Sequence, residues 1–279
     1  MLIRVGYDIT FELAAPTPMV VLLNLHPSRS VDLATPDQIR TEPEVPVQEY
    51  TDAFGNRCGR LVAPAGAFRF YSTSDVSDSG QPDPIDRSAH QHPVEELPAE
   101  TLQFLMASRY CEVDRLTDHA WKLFGSSPNQ GWDRVQEVCD WVHSHVRFDY
   151  QLTNPSKSAM DVLNEGTGVC RDFQHLAITF CRALNIPARY ATGFIPDIQW
   201  PVNGDMDFAA WFQVYLGGQW HTFDARNNTP RIGRILMATG RDAVDVALTT
   251  SFGSAILKQF VVISDEVTTD SPTLVTACT

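Results

Sequence analysis

The chain has 279 residues, of which 43% are apolar and 20% charged, and its formal net charge is -13. That is enough apolar material for a packed core in one large domain or two ordinary ones. The acidic excess excludes nucleic acid and anionic membrane as partners held by bulk electrostatics.

Residues 1–75 read as strands. Met1 to Phe11 alternates apolar and polar residues, Val20 to Leu25 is an apolar run, and Phe68 to Tyr71 follows a Gly/Pro/Ala turn. Six prolines between Pro16 and Pro46 interrupt the segment, which fits a small β-sandwich. Residues 76–98 are rich in Ser, Asp and Pro and read as a linker, with a core domain expected over 99–279. In that core the period becomes helical at Leu102–Arg109, Leu116–Phe124 and Trp132–His145, with a short turn at Asp161–Asn164. After Cys170, the residues Phe173, Leu176, Ala177, Phe180 and Leu184 fall on one helical face, and Asn185 and Pro187 end the helix. Strands are expected over 188–194, 210–216, 219–225 and 256–263. The order, helices first and then an antiparallel sheet, is that of an α+β fold.

No stretch approaches the roughly 18 apolar residues of a membrane span. The N-terminus lacks a basic region followed by a small-residue cleavage site, so a cytoplasmic setting is expected. The six cysteines form no close CxxC pair, which argues against a zinc knuckle and for buried free thiols. Asp205 and Asp207 alone make a poor cation site, so neither metal nor cofactor is expected. The arginines 182, 189, 226, 231 and 234 are expected to pair with some of the 34 acidic residues rather than to form a basic patch.

Cys170 stands apart from the other cysteines. It follows a glycine-bearing turn at the start of a helix, where the positive end of the helix dipole would lower a thiol's pKa. Gly168 would let a substrate backbone approach. The surrounding sequence runs Gly168-Val-Cys170-Arg-Asp172-Phe, then His175-Leu, then Cys181-Arg-Ala-Leu-Asn-Ile-Pro187-Ala-Arg189-Tyr-Ala-Thr-Gly193. This core, the upstream His145–Tyr150 segment and the N-terminal Asp52–Asn56 stretch resemble the bacterial transglutaminase-like family.

The resemblance implies a papain-like core, preceded by a β-rich domain, with a Cys-His-Asp triad acting on protein or peptide amides. It maps the nucleophile to Cys170 and the aspartate to Asp224. Trp211, Trp220 and Phe223 read as core aromatics, with Trp211 the candidate among them for a substrate-groove wall. The family's histidine position is Ala209, and Gln213 stands where the family has an acidic residue. With Gly217-Gly218 as a two-residue hairpin loop, Val214 pairs with His221 and Trp211 with Asp224, which sets Asp224 diagonally across from Ala209. His221 then points to the opposite face, and His175 falls well around the helix from the thiol, so both read as structural. Histidines 26, 90, 92 and 119 receive no role, whereas His143 and His145 end a helix ahead of the core at a distance from Cys170 that the sequence does not set. Three readings follow: a cysteine acyltransferase or amide hydrolase working through a thioester with another base, a binding protein that keeps the groove without catalysis, or an enzyme whose histidine was replaced by alanine.

Overall fold

A computed structural model describes residues 1–201 and 206–268. Its first part contains β1 (Leu2–Leu13), β2 (Thr17–Val21), β3 (Arg40–Glu42), β4 (Gln48–Thr51), β5 (Arg57–Ala63) and β6 (Gly66–Ser77). There follow the helices α1 (Val113–Phe124) and α2 (Gly131–His145), the short strand β7 (Arg147–Phe148), helix α3 (Ala159–Glu165), strand β8 (Thr167–Gly168) and helix α4 (Cys170–Ala183). The last elements are strands β9 (Ala188–Phe194), β10 (Ala209–Leu216), β11 (Gln219–Phe223), β12 (Ile235–Gly240), β13 (Thr249–Ser251) and β14 (Ala255–Glu266).

Three antiparallel four-stranded sheets organise the molecule, in the orders β14-β1-β6-β3, β13-β2-β5-β4 and β11-β10-β9-β12. The first two form the sandwich expected at the N-terminus. Their inward residues, among them Ile3, Ile9, Met19, Val21, Phe68 and Phe70, make one apolar cluster. β13 and β14 belong to this sandwich, since β14 pairs along β1 and β13 pairs with β2. The expected core domain over 99–279 is therefore not a separate unit, because its last strands complete the sheets begun by residues 1–75.

Residues 76–98 are not a loose tether either. Ala89 is buried in the helical core, its carbonyl accepts from the Trp132 amide at 3.0 Å, and the His90 carbonyl accepts from Gly217 at 2.9 Å. Many of this segment's polar groups satisfy backbone groups of the core, which explains why it lacks apolar periodicity and is still ordered.

The third sheet carries the helices. Residues Ala210, Phe212, Val214 and Leu216 of β10 pack with Phe173, Leu176, Ala177 and Phe180 of α4. α4 is buried from Asp172 through Ala183, not on one face only, because the sheet covers one side and α1, α2 and α3 the other. Gly217 and Gly218 both have positive φ, 56° and 88°, the conformation that a two-residue hairpin requires. The register is as expected, with Leu216 opposite Gln219 and Val214 opposite His221. The expected helix at Leu102–Arg109 is instead a 3-10 helix over Ala99–Leu105. No helix among the described residues is long and apolar enough to cross a membrane.

Candidate active site

Cys170 is the first residue of α4. Asp172, two residues on, reaches back so that its Oδ2 accepts from the Val169 amide at 2.8 Å. That return path explains Gly168: a Cβ there would lie 2.6 Å from the Asp172 Cβ. Gly168 is buried and pairs with Phe148 in the short β7–β8 ladder. Its role is thus to seat the start of α4, and the substrate approach expected of it has no opening there.

The thiol is half-buried and faces a cavity of about 170 Å³, lined also by Tyr150, Asp207, Ala209, Arg226, Asn227 and Arg231. Burial pushes the Cys170 thiol up to about 11, and the positive charge of Arg226 offsets only part of that rise. The expectation of a lowered thiol pKa is therefore not met, because desolvation outweighs the helix terminus. Asp207 adds negative charge against the thiolate, and its Oδ2 accepts from the Tyr150 hydroxyl at 3.1 Å.

Asp224 lies just past the end of β11 and is buried. Its Oδ1 accepts from Gln174 Nε2 at 3.0 Å and from the amides of Arg226 and Asn227, both at 3.0 Å. Its Oδ2 accepts from Asn227 Nδ2 at 2.8 Å and from Arg234 at 2.9 Å. Burial raises the carboxyl pKa, but the Arg234 charge and the Asn227 hydrogen bonds outweigh it and hold Asp224 below its ordinary value. Arg234 is held in turn by Asp83, whose Oδ2 accepts from its Nε at 2.7 Å. A residue of the expected linker thus braces the aspartate.

Asn227 lines the Cys170 cavity and donates to Asp224, the carboxylate half of the connection that a triad imidazole would make. Sequence reasoning missed it, along with Arg226, Arg234 and Asp83. A strand-ending aspartate followed by Arg-Asn-Asn is a turn signal that could have pointed to Asn227, because Asp side chains accept from amides two and three residues on. The salt bridge from Asp83 spans more than a hundred residues and leaves no local signal.

None of the eight histidines lines this cavity. His175 is buried, stacks on Tyr110 at 4.9 Å, and its Nε2 accepts from the Ala243 amide at 3.2 Å. Burial pushes its pKa down to about 3, so it stays neutral in a structural role. His221 is buried edge-on to Trp132. His143 Nδ1 lies 2.9 Å from the Arg226 carbonyl, which ties α2 to the site without placing an imidazole in it.

Trp211 does not wall the groove. It is 1% exposed and packs with Ala191 and Ile195 behind Ala209. The five arginines form no basic patch. Arg231 pairs with Asp197 and Arg234 with Asp83 and Asp224, whereas Arg182 donates to backbone carbonyls and Arg189 to Gln213. Among the described residues no group of three His, Cys, Asp or Glu could hold a metal ion. Asp205 and Cys278 lie outside the described residues.

The model of the transglutaminase-like superfamily matches residues 116–225, which include Cys170, Ala209 and Asp224. A solved structure from Cytophaga hutchinsonii, described as a candidate cysteine protease, is 33% identical with a TM-score of 0.81, and the match covers 98% of this chain and 92% of that one. The chain belongs to the transglutaminase-like superfamily. An uncharacterized protein of Mycobacterium leprae is 32% identical over 117 residues, 40% of this chain and 42% of that relative. The chain thus matches less than half the length of this curated relative. The periplasmic domain of TgpA from Pseudomonas aeruginosa is a more distant likeness, at 13% identity and a TM-score of 0.38, over 78% of this chain and 75% of that one. The transglutaminase-like core here is the unit of α1, α2, α3 and α4 on the third sheet, and the β-rich sandwich precedes it and receives the last strands, β13 and β14.

Proposed function

We propose that this transglutaminase-like protein binds a protein or peptide segment in the Cys170 cleft and does not sustain amide turnover. The observation that carries the reading is the cavity lining: Cys170 faces Tyr150, Asp207, Arg226 and Asn227, with no imidazole among them. An amidase of this kind needs a base to take the thiol proton and an acid to return it to the leaving amine. Asn227 is neither, and the raised thiol pKa leaves little thiolate at neutral pH. Loss of such a partner costs on the order of a thousandfold or more in rate.

A second reading, a cysteine acyltransferase or amide hydrolase, is favoured by Cys170 itself. The thiol sits at the first residue of α4 and opens on a cavity. In that reading the sulfur attacks an amide carbonyl, the amine leaves with a proton, and water or an amine resolves the thioester. Ammonia release from glutamine peptides and cleavage of casein separate the two readings. The binding reading expects the native protein and Cys170→Ser to be equally inactive, and expects Ala209→His to gain Cys170-dependent activity. Native activity that Cys170→Ser abolishes would establish the enzyme reading instead.

A further inference from the structure

Arg226 is half-buried and lines the cavity beside the thiol. Its backbone is fixed on both sides: its amide donates to Asp224 and its carbonyl faces the His143 ring. Its guanidinium lies 4.1 Å from the Phe148 ring centroid. Among the described residues it has no carboxylate partner within ion-pair distance and no side-chain hydrogen bond.

The other charged groups of the cavity each have a charged or hydrogen-bonding partner, although the buried Nε of Arg231 has none. Arg231 pairs with Asp197 at 3.2 Å, and Asp207 accepts from Tyr150 and from the Phe208 amide. Among the described residues Arg226 is therefore a cation with a planar fork of donors that lines a cavity and has no side-chain acceptor. A guanidinium in that situation matches a carboxylate, which takes two parallel hydrogen bonds. The Phe148 ring at 4.1 Å stabilises its charge without satisfying its donors.

We propose that Arg226 makes the cleft selective for a segment that presents a carboxylate next to Cys170, either an Asp or Glu side group or the free C-terminal acid of a peptide. The assignment to a peptide segment rests on the binding function proposed above, whereas the selectivity for an anion does not. Two arms keep them apart.

The first arm uses no peptide. Cys170 is alkylated at pH 9 with iodoacetate and with iodoacetamide, and the modified peptide is quantified by mass spectrometry. The ratio of the two rates is compared with that of a small neutral thiol. The expected ratio at Cys170 is roughly tenfold higher, the size of one hydrogen bond to a charged group. It falls to the small-thiol value in Arg226→Gln and is partly retained in Arg226→Lys. A native ratio equal to that of the small thiol, or one unchanged in Arg226→Gln, overturns the proposal.

The second arm measures binding of one fluorescent peptide in three forms: with a Glu side group, with Gln in its place, and with a free C-terminal acid in place of the amide. Tighter binding of one acidic form identifies the source of the carboxylate. Equal binding of all three overturns the proposal. If no form binds while the alkylation preference holds, the peptide reading fails and anion selectivity at Cys170 stands for a small ligand.

Discussion

At the scale of single residues, Cys170 opens on a cavity that no imidazole lines, and Asp224 is bonded to other groups. Asp224 would orient an imidazole in a triad. Here five donors, from Gln174, Asn227, Arg234 and two backbone amides, take up its oxygens. Arg234 is the costly member of the set, because both it and Asp224 are almost fully buried. Arg234→Met keeps the volume and leaves Asp224 and Asp83 without their cation, so it is expected to destabilise by roughly 3–5 kcal/mol. The pH dependence follows from the lowered Asp224 pKa. A depressed carboxyl contributes stability that is present above its unfolded value, near about 4, and lost as pH falls through the folded value. The deficit of Arg234→Met should therefore be largest at neutral pH and shrink below about pH 4. Urea denaturation at pH 7 and pH 3 checks this, and a deficit independent of pH would count against the clamp.

At the scale of elements, α4 is the piece on which the site depends, and its start is set by the contact between Gly168 and Asp172. Gly168→Ala would drive a Cβ to within 3.0 Å of the Asp172 Oδ2. The helix start must then shift, because Asp172 is fixed by its bond to the Val169 amide. The expected cost is about 1–3 kcal/mol, the range for overpacking a tight site. A thermal melt indistinguishable from native would show that Asp172 moves aside freely. The hairpin was the most legible element. Gly217-Gly218 fixed its loop, the loop fixed the register, and the observed pairs run from Leu216–Gln219 to Phe212–Phe223. The pairing stops there, one pair before Trp211 and Asp224, because the backbone turns after Phe223. β12 was not legible. Its six residues, Ile235 to Gly240, carry neither a clean alternation nor a flanking hairpin signal.

At the scale of the molecule, the sandwich is closed by strands from the far end of the sequence. β1 lies between β6 and β14, and β2 lies between β5 and β13. Removing residues after 248 would strip β1 and β2 of a neighbour each and leave their ladder groups unpaired. A protein of residues 1–248, and equally an excised 99–279 fragment, is expected to lose the cooperative thermal transition of the full-length protein. Circular dichroism melts of the three proteins test this. A fragment that melts as sharply as the whole would restore the two-domain division. Asn56 adds a further link, since its side chain donates to the Thr239 carbonyl and accepts from the Thr239 amide, both at 2.8 Å.

Whatever neighbouring residues write locally could be read before any fold was known. That includes the α+β order, the helix that begins at Cys170, and the glycine hairpin with its register. These follow from periodicity, turn residues and a long motif, each of which acts over a few positions. Packing in three dimensions settled the rest. It returned β13 and β14 to the first sheets and buried Trp211. It let desolvation raise the Cys170 thiol, brought Asn227 to the cavity with its amide on Asp224, and left Arg226 without a side-chain acceptor among the described residues. Burial and long-range charge depend on which distant segments pack together, and no spacing along the sequence encodes that.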